Sequence, residues 1–369
     1  MITPEAYDYS LPENLIAREP AAPRDAARLF VYDTSSDTIE LDTFRNLGDY
    51  LPREAFLVLN KTRVVPARLE LKKSILRSDV GRGGGKVVAL FLTNEHATGN
   101  TVRALFDRGV KMGERLTLAS GKFAEVITQE KNIFTLRLPF GRGALIELLE
   151  RQGTMPIPPY LRETTLSFLK LRREYQTIFA ARPCQARHSN ILKNVGMSSA
   201  AAPTASLHFT ERAFADLRRR GIGKEFLTLH VGLGTFAPVA PEQMRRGRLH
   251  EEWFDISPAT AAGIALRKKN GERLVAVGTT VVRAIESAVR TGDFRTGFGA
   301  TDIFIRPPYR FRAVDALVTN FHVPKSSLMM LVDAFLAHRK SKRRILDLYK
   351  IAIRERIRFF SFGDAMLIR

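Results

Sequence analysis

The sequence has very little cysteine, since Cys184 is the only one in 369 residues. A single cysteine excludes an internal disulfide and a zinc site built from several cysteines, and it fits a reducing compartment. The amino terminus has no basic segment followed by an apolar run, so we predict no secretory signal. No apolar run reaches the roughly 18 residues that would predict a membrane span. We therefore expect a cytoplasmic protein with no membrane partner.

Several familiar catalytic motifs are absent as well. No His-x-x-x-His or Glu-x-x-His pair occurs, so we expect no metal. The sequence contains neither a Gly-x-Ser-x-Gly elbow nor a Walker A phosphate loop. The glycine run Gly81–Lys86 lacks the Ser or Thr of a phosphate loop, and we interpret it as the tip of a hairpin.

Positive charge, by contrast, is in large excess. The chain has 58 Lys and Arg against 38 Asp and Glu, a formal net charge of +20 and a pI of about 10.4. Such an excess favours an anionic partner, with nucleic acid the first choice and a membrane surface the second. Charge alone leaves open that the source organism simply has basic proteins. The 45% apolar content predicts a folded chain with a sizeable core.

The residue pattern changes twice along the chain and predicts a discontinuous domain. From residue 67 to 156, short alternating strands are separated by glycine turns, which is typical of a small barrel. From about residue 203, strands alternate with helices, which is typical of a parallel sheet. We expect an α/β fold with a mixed, largely parallel sheet and flanking helices in residues 1–66 plus 157–369, interrupted by an inserted small β-barrel at 67–156.

Polar, turn-forming residues follow four of the predicted strands. Ligands of open α/β sheets bind beyond the carboxyl ends of the strands. If these strands are parallel neighbours, their loops meet on one rim, and we predict the active site there. The loops are Asn60–Arg63, His230–Thr235, Gly278–Thr280 and Asn320–Ser326.

These loops also have structural interpretations. Gly278–Thr280 is either a tight turn with Thr280 as a helix cap or a set of backbone N–H groups that receives a carboxylate or phosphate. A single loop histidine is usually structural. Two of them, His230 and His322, on converging loops favour a functional role.

Two further segments have alternative interpretations. Pro203–Thr210 precedes a predicted helix, with Thr210 as its N-cap. We predict a basic helix at 341–358, and the aromatic tail Phe359–Ile368 should dock rather than fray. Docking either places Asp364 in the active site or only closes the core.

A series of sequence blocks, in order, spans nearly the whole chain. They are Tyr7–Pro12, Pro23–Asp25, Asn60–Arg68, Met155–Tyr160, Tyr175–Thr177, Ala202–Thr210, His230–Phe236, His250–Trp253, Gly278–Arg283, Thr301–Ile305, Thr319–His322 and Gly363–Ile368. No single block identifies a protein family, but the complete set of blocks in this order does. Through it the chain resembles the S-adenosylmethionine:tRNA ribosyltransferase-isomerase family of queuosine biosynthesis.

The resemblance implies a tRNA modification enzyme with an α/β domain and an inserted β-barrel. It implies transfer and isomerisation of the ribosyl moiety of S-adenosyl-L-methionine, a co-substrate, onto 7-aminomethyl-7-deazaguanine at the tRNA wobble position. The products are epoxyqueuosine-tRNA, adenine and methionine, and the family needs no metal. We expect a monomer. The alternative is a non-catalytic or degenerate tRNA-binding protein of the same fold.

The implied chemistry assigns roles to residues in the matching blocks. Because a sulfonium acidifies the adjacent 5′ carbon, the reaction needs a base, for which we expect His230, His322 or Asp302. The methionine carboxylate needs a clamp, for which we expect Arg63, Arg68 or Arg283. The other substrate-binding candidates are Asn60, Thr62, Pro203, Thr204, His208, Thr210, Gly232, Gly234, Thr235, His250, Gly278, Thr279, Thr280, Asn320 and Asp364.

Some positions depart from the family pattern. Residues 181–199 form a longer and more charged link than is usual, interpreted either as a tRNA-contacting loop or as a neutral insertion. Single departures are Val88 for Glu, Val102 for Trp, Ser206 for Gly, Val281 for Ser and Pro308 for Gly. The two in the predicted barrel bear on contacts with tRNA more than on the chemistry.

Overall fold

The structure, a computed structural model, describes residues 3–73, 85–93, 99–118, 120–180, 198–232, 239–289 and 294–369. Its strands are β1 (Arg28–Asp33), β2 (Thr38–Thr43), β3 (Ala55–Asn60), β4 (Arg68–Lys73), β5 (Lys86–Phe91), β6 (Thr101–Phe106), β7 (Arg115–Thr117), β8 (Phe123–Glu130), β9 (Ile133–Arg137), β10 (Gly223–His230), β11 (Arg248–Ile256), β12 (Arg273–Val277), β13 (Gly297–Ile303), β14 (Ala316–Asn320) and β15 (Ala365–Ile368). Its α-helices are α1 (Leu47–Tyr50), α2 (Arg142–Gln152), α3 (Phe168–Glu174), α4 (Glu211–Arg219), α5 (Pro241–Arg246), α6 (Pro258–Lys269), α7 (Thr279–Ala288), α8 (Ser327–His338) and α9 (Ile345–Arg354). Cys184, Gly81–Gly84 and most of the 181–199 segment lie outside these residues.

The chain forms two compact units. The first comprises Met1–Thr62, Pro158–Ala180 and Ala202–Arg369, and the second comprises Arg63–Ile157 and Ala181–Ala201. The boundaries expected from the sequence, 67 and 156, lie a few residues inside the second unit. None of the helices in the described ranges is long and apolar enough to cross a membrane.

The first unit is built on one nine-stranded sheet with the order β13-β11-β10-β3-β12-β14-β15-β1-β2. At its centre β10, β3, β12 and β14 are parallel neighbours. The outer pairs β10–β11, β11–β13 and β1–β2 are antiparallel. The expected fold class, a mixed sheet with a largely parallel core and flanking helices, is confirmed.

The side chains of β3 point alternately to the two faces of the sheet, and helices pack on both faces. Leu57 and Leu59 pack on one face with Phe214 of α4, whereas Phe56 faces the other way. The guanidinium of Arg267, on α6, lies 5.5 Å from the centre of the Phe56 ring. Every residue of β3 is buried, as expected of a parallel strand between two helical layers.

The carboxyl terminus is an interior strand of this sheet. β15 lies between β14, to which it is antiparallel, and β1, to which it is parallel. The carboxylate of Asp364 accepts hydrogen bonds from the backbone N–H groups of Arg28 and Arg358, 3.0 and 2.8 Å away, and from the Arg358 guanidinium. Of the two interpretations of the docked tail, these contacts favour closure of the core.

The preceding helix is shorter than the sequence predicted. We expected 341–358, but α9 spans only Ile345–Arg354. It ends early because Arg356 adopts a left-handed φ of 56°, which an α-helix cannot accommodate. The chain then turns, with a second left-handed φ of 71° at Phe360, before β15 begins.

The second unit contains a closed barrel with the strand order β4-β5-β6-β9-β8-β7. Its interior is apolar, with Leu71, Phe91, Val102 and Leu136 among the buried residues. The expected small β-barrel is therefore confirmed. Val102, one of the departures from the family pattern, fills the barrel interior, while Val88 is half-buried.

Replacing Leu367 tests the interior position of β15, because its side chain is fully buried in the sheet core. We expect Leu367→Ala to lower the free energy of unfolding by about 3 kcal/mol, as is usual for a cavity in a core. The matched control Leu41→Ala, on edge strand β2 and 37% exposed, should lose about 0.5 kcal/mol. Urea denaturation measures both, and equal losses would contradict an interior β15.

Candidate functional site

The carboxyl ends of β3, β10, β12 and β14 meet on one rim, and a cleft opens there. The space between its walls is about 540 Å³, a figure that includes space open to solvent. Its lining includes Thr204, Val231, Gly278–Thr280, Asn320 and His322. Residues that follow β10, β12 and β14 line the cleft, and Asn60 at the end of β3 lies beside them. Gly234 and Thr235 of the predicted loops lie outside the described residues.

A buried asparagine holds this rim together. The Asn60 side-chain N–H₂ donates to the Leu229 carbonyl at 2.9 Å and lies 3.4 Å from the Thr280 hydroxyl. Its side-chain oxygen accepts from the N–H groups of Leu229 and Thr62, each at 3.0 Å. Asn60 is fully buried, so it links the ends of β3 and β10 to the start of α7 from inside the protein.

His230 is oriented through the same loop. Its Nδ1 lies 3.1 Å from the hydroxyl of Thr62, which is itself held by Asn60. The ring is half-buried at the carboxyl end of β10. This arrangement resembles that of a general base, in which one ring nitrogen is fixed so that the other points in a defined direction.

His322 is held more tightly and is more deeply buried. Its backbone N–H donates to the Tyr349 hydroxyl oxygen at 2.7 Å, and its carbonyl accepts from the Tyr9 hydroxyl at 2.5 Å. Its ring Nε2 lies 3.3 Å from the Thr319 hydroxyl. Burial lowers the pKa of His322 to about 3, because the charged imidazolium would lose its hydration. The ring is therefore neutral at physiological pH.

Three segments meet at Asn320, beside His322. The Thr204 hydroxyl donates to the Asn320 side-chain oxygen at 2.8 Å, and the Asn320 side-chain N–H₂ donates to the Phe360 carbonyl at 3.4 Å. These bonds bring the Pro203–Thr210 segment and the segment before β15 against the β14–α8 loop. Pro203 and Phe360 also line the cleft.

The amino terminus of α7 opens onto the cleft. Gly278 precedes the helix with a φ of 95°, a conformation that favours glycine, and its N–H donates to the Val318 carbonyl. Thr280 was one expected cap, but the N-cap position is Gly278, and the Thr280 hydroxyl lies next to Asn60 instead. With no side chain capping it, this helix start favours the anion-binding interpretation.

A smaller cavity, about 270 Å³ when space open to solvent is counted, lies next to this rim. It is lined by Gly232, His250, Glu252, Arg283 and Ser327, among others. The Arg283 guanidinium donates to the Glu252 carboxylate, which also accepts from the Gly232 N–H at 3.0 Å. Both side chains of this ion pair are at most 5% exposed. His250 is exposed.

Other predicted residues of this unit lie away from the cleft lining. Asp302 pairs with Arg248 at 3.1 Å and lines a separate cavity beside β13. His208 is buried with its ring 5.0 Å from Phe44, and burial lowers its pKa to about 4. Thr210 caps α4, as the sequence predicted, because its hydroxyl accepts from the Ala213 N–H.

The remaining predicted residues are in the second unit or outside the described ranges. Arg63 pairs with Glu150 at 3.2 Å. Arg68 begins β4. Gly234 and Thr235 lie outside the described residues.

Sequence reasoning missed two tyrosines that position His322. Tyr9 and Tyr349 contact its backbone, and their rings pack edge to face with centres 5.2 Å apart. The Lys325 N–H also donates to the carbonyl of Tyr7, and the Lys325 ammonium pairs with Asp8 at 2.9 Å. The Tyr7–Pro12 block was the available signal, but only the fold shows that it holds the β14–α8 loop.

No three His, Cys, Asp or Glu side chains in the described part of the chain are arranged to hold a metal ion. The expectation that the reaction needs no metal stays a prediction.

A cleft beyond parallel strands, lined by a helix amino terminus and by His322, with His230 at the end of the neighbouring strand β10, is the arrangement of an α/β enzyme. Comparison with known proteins makes this specific. The queuosine biosynthesis protein family matches residues 4–368. S-adenosylmethionine:tRNA ribosyltransferase-isomerase of Symbiobacterium thermophilum is 43% identical over 364 residues, covering 98% of each chain. The protein of the same name from Carboxydothermus hydrogenoformans is 40% identical over 363 residues, again covering 98% of each chain.

A solved structure gives the same result. The crystal structure of S-adenosylmethionine tRNA ribosyltransferase from Thermotoga maritima matches with a TM-score of 0.52 and 30% identity, covering 98% of this chain and 99% of the other. The chain therefore belongs to the S-adenosylmethionine:tRNA ribosyltransferase-isomerase family of queuosine biosynthesis. The resemblance noted from its sequence blocks is confirmed.

Replacing Asn60 tests the role of the buried amide at the rim. Asn60→Leu leaves the polar groups of Leu229 and the Thr62 N–H without their partner, so we expect a loss of about 3 kcal/mol or more in the free energy of unfolding. The control Asn100→Leu removes one half-buried bond, to the Leu138 carbonyl, and should cost about 1 kcal/mol. Urea denaturation measures the difference, and similar losses would argue against a special role for Asn60.

Proposed function

We propose that this chain is a tRNA modification enzyme that transfers and isomerises the ribosyl moiety of S-adenosylmethionine. The acceptor is 7-aminomethyl-7-deazaguanine at the tRNA wobble position, and the products are epoxyqueuosine-tRNA, adenine and methionine. The observation that carries the proposal is the cleft beyond β3, β10, β12 and β14, in a chain whose relatives have this activity in their names over nearly their whole length.

The cleft suits the nucleoside part of S-adenosylmethionine. Its walls combine apolar surface from Val231, Phe321 and Leu328 with hydroxyl and amide groups from Thr204 and Asn320. Apolar walls with a few placed polar groups are typical of small-molecule and cofactor sites. We assign the adenosine group to this cleft and the sulfonium to its side nearest Val231.

His230 is our choice for the general base. The reaction begins with removal of a proton from the 5′ carbon beside the sulfonium, which starts the loss of adenine. His230 is half-buried, and its hydrogen bond to Thr62 fixes the ring. His322 is a weaker candidate, because burial holds its pKa near 3 and so opposes proton uptake.

His322 has a different role in this scheme. Adenine departs with the electron pair of its bond to the sugar, so the site must stabilise developing negative charge on the base. The neutral His322 ring, the Asn320 amide and the amino terminus of α7 all face the cleft. Neutral donors and a helix amino terminus stabilise such charge, and a neutral ring does not repel the cationic sulfonium.

The tRNA assignment draws on the charge of the chain. A net charge of +20 supports binding to a polyanion, and such binding weakens steeply with salt. Arg63 and Arg68, in the barrel-containing unit, are proposed tRNA or substrate contacts rather than carboxylate clamps. We further propose a monomer that acts in the cytoplasm, where its tRNA substrate is. No specific observation favours the alternative of a non-catalytic binding protein.

The direct test is a turnover assay with S-adenosylmethionine and tRNA carrying 7-aminomethyl-7-deazaguanine. Adenine should be released together with a ribosyl-sized mass gain on the tRNA. Tight, salt-sensitive tRNA binding without adenine release would contradict the enzyme assignment for this acceptor.

The same assay tests the base. We expect His230→Ala to slow adenine release by about 10²- to 10⁴-fold, the usual contribution of a positioned base, while tRNA binding is retained. His338→Ala is the matched control, because His338 lies at the opposite end of α8 from the cleft. Wild-type turnover by His230→Ala would rule out His230 as the base.

A further inference from the structure

The small cavity around Arg283 is built like a receptor for an anion. Its lining includes Arg283, the Glu252 carboxylate that pairs with it, Ser327, His250 and Gly232. Arg283 is on α7, the helix whose first residues line the main cleft. The cavity is therefore a candidate for a second, separate part of the same substrate.

Arg283 has donors that the protein does not use. One terminal nitrogen of its guanidinium donates to the Glu252 carboxylate. The Nε and the second terminal nitrogen have no hydrogen-bond partner within the described structure, although the side chain is only 5% exposed. Buried guanidinium donors are almost always paired, so unpaired ones indicate a missing acceptor.

The cavity adjoins the main cleft through three elements. Val231 lines the cleft and Gly232 the cavity. Leu328 lines the cleft and Ser327 the cavity. On α7, Thr280 lines the cleft and Arg283, three residues later, lies on the same side of the helix and lines the cavity. A ligand that fills the cleft can therefore extend an acidic group towards Arg283.

We propose that Arg283 binds the α-carboxylate of the methionyl group of S-adenosylmethionine in this cavity. The inference rests on the proposed function and adds the binding site for the amino-acid end of the donor. A carboxylate accepts two parallel bonds from a guanidinium, which matches the two unpaired donors. Glu252 already balances the arginine charge, so the zwitterionic amino-acid group adds no net charge to the buried pair.

Ligand variants separate this site from the adenosine cleft. The ligands are S-adenosylmethionine, its decarboxylated form, which lacks only the carboxylate, and 5′-methylthioadenosine, which lacks the whole amino-acid end. Calorimetry on the full chain measures their affinities. The wild type should bind S-adenosylmethionine about 10- to 100-fold more tightly than the decarboxylated form, as expected for a charge-assisted pair.

Arg283→Lys keeps the charge beside Glu252 but loses the planar two-donor geometry. We expect this variant to lose most of the preference for the carboxylate while binding 5′-methylthioadenosine as the wild type does, which also shows that it is folded. Arg267→Lys is the matched control and should keep the preference, because Arg267, on α6, pairs with Glu272 and does not line the cleft or the cavity.

The outcomes distinguish an error in the proposed function from an error in the assignment of Arg283. If the wild type does not bind S-adenosylmethionine, both the proposed function and this inference are wrong. If it binds and releases adenine but Arg283→Lys keeps the full preference for the carboxylate, only the Arg283 assignment is overturned. Equal weakening of all three ligands in Arg283→Lys would also overturn it, because the residue would then be structural.

Discussion

The buried amide of Asn60 is the interaction on which the site depends. It occupies the point where the β3–β10 ladder ends, and it replaces backbone pairing with four side-chain contacts. An amide has both donors and acceptors, so it can satisfy the Leu229 N–H and carbonyl together. Through Thr62 it also sets the position of His230, and through Thr280 it contacts the start of α7.

Burial away from water determines the charge states of the groups at the rim and in the cavity beside it. His322 is neutral because burial penalises its charged form, and the Arg283–Glu252 pair is stable because each charge compensates the other. A site that must bind a sulfonium cation and release adenine benefits from neutral donors near the nucleoside. It benefits equally from a balanced pair, rather than an isolated positive charge, where the amino-acid end would lie.

The sequence was informative where chemistry follows directly from local pattern. Polar residues after apolar strands predicted the rim, because parallel neighbours bring their carboxyl ends together, and Thr210 was correctly predicted as a helix cap. The alternating strands and glycine turns predicted the barrel. Tertiary pairing was harder to predict. Nothing local shows that β15 is an interior strand or that Tyr9 contacts His322, since both contacts join residues more than 300 positions apart.

Asp302 also shows that the position of a side chain in the fold is hard to predict from sequence. It matches a family block, yet it lies on β13, beyond β11 and β10 in the sheet order, and it pairs with Arg248. Order along the chain carries no information about which end or edge of a sheet a side chain reaches. The same reasoning separates His208, whose buried ring packs on Phe44, from the histidines of the rim.

The cleft beyond the four parallel strands is the proposed binding site of S-adenosylmethionine. A crystal structure of the protein with this ligand would show where it binds. We expect density for the adenosine group against Thr204, Gly278–Thr280 and Asn320. Density in the cavity beside β13, next to Asp302, with the cleft empty, would contradict it.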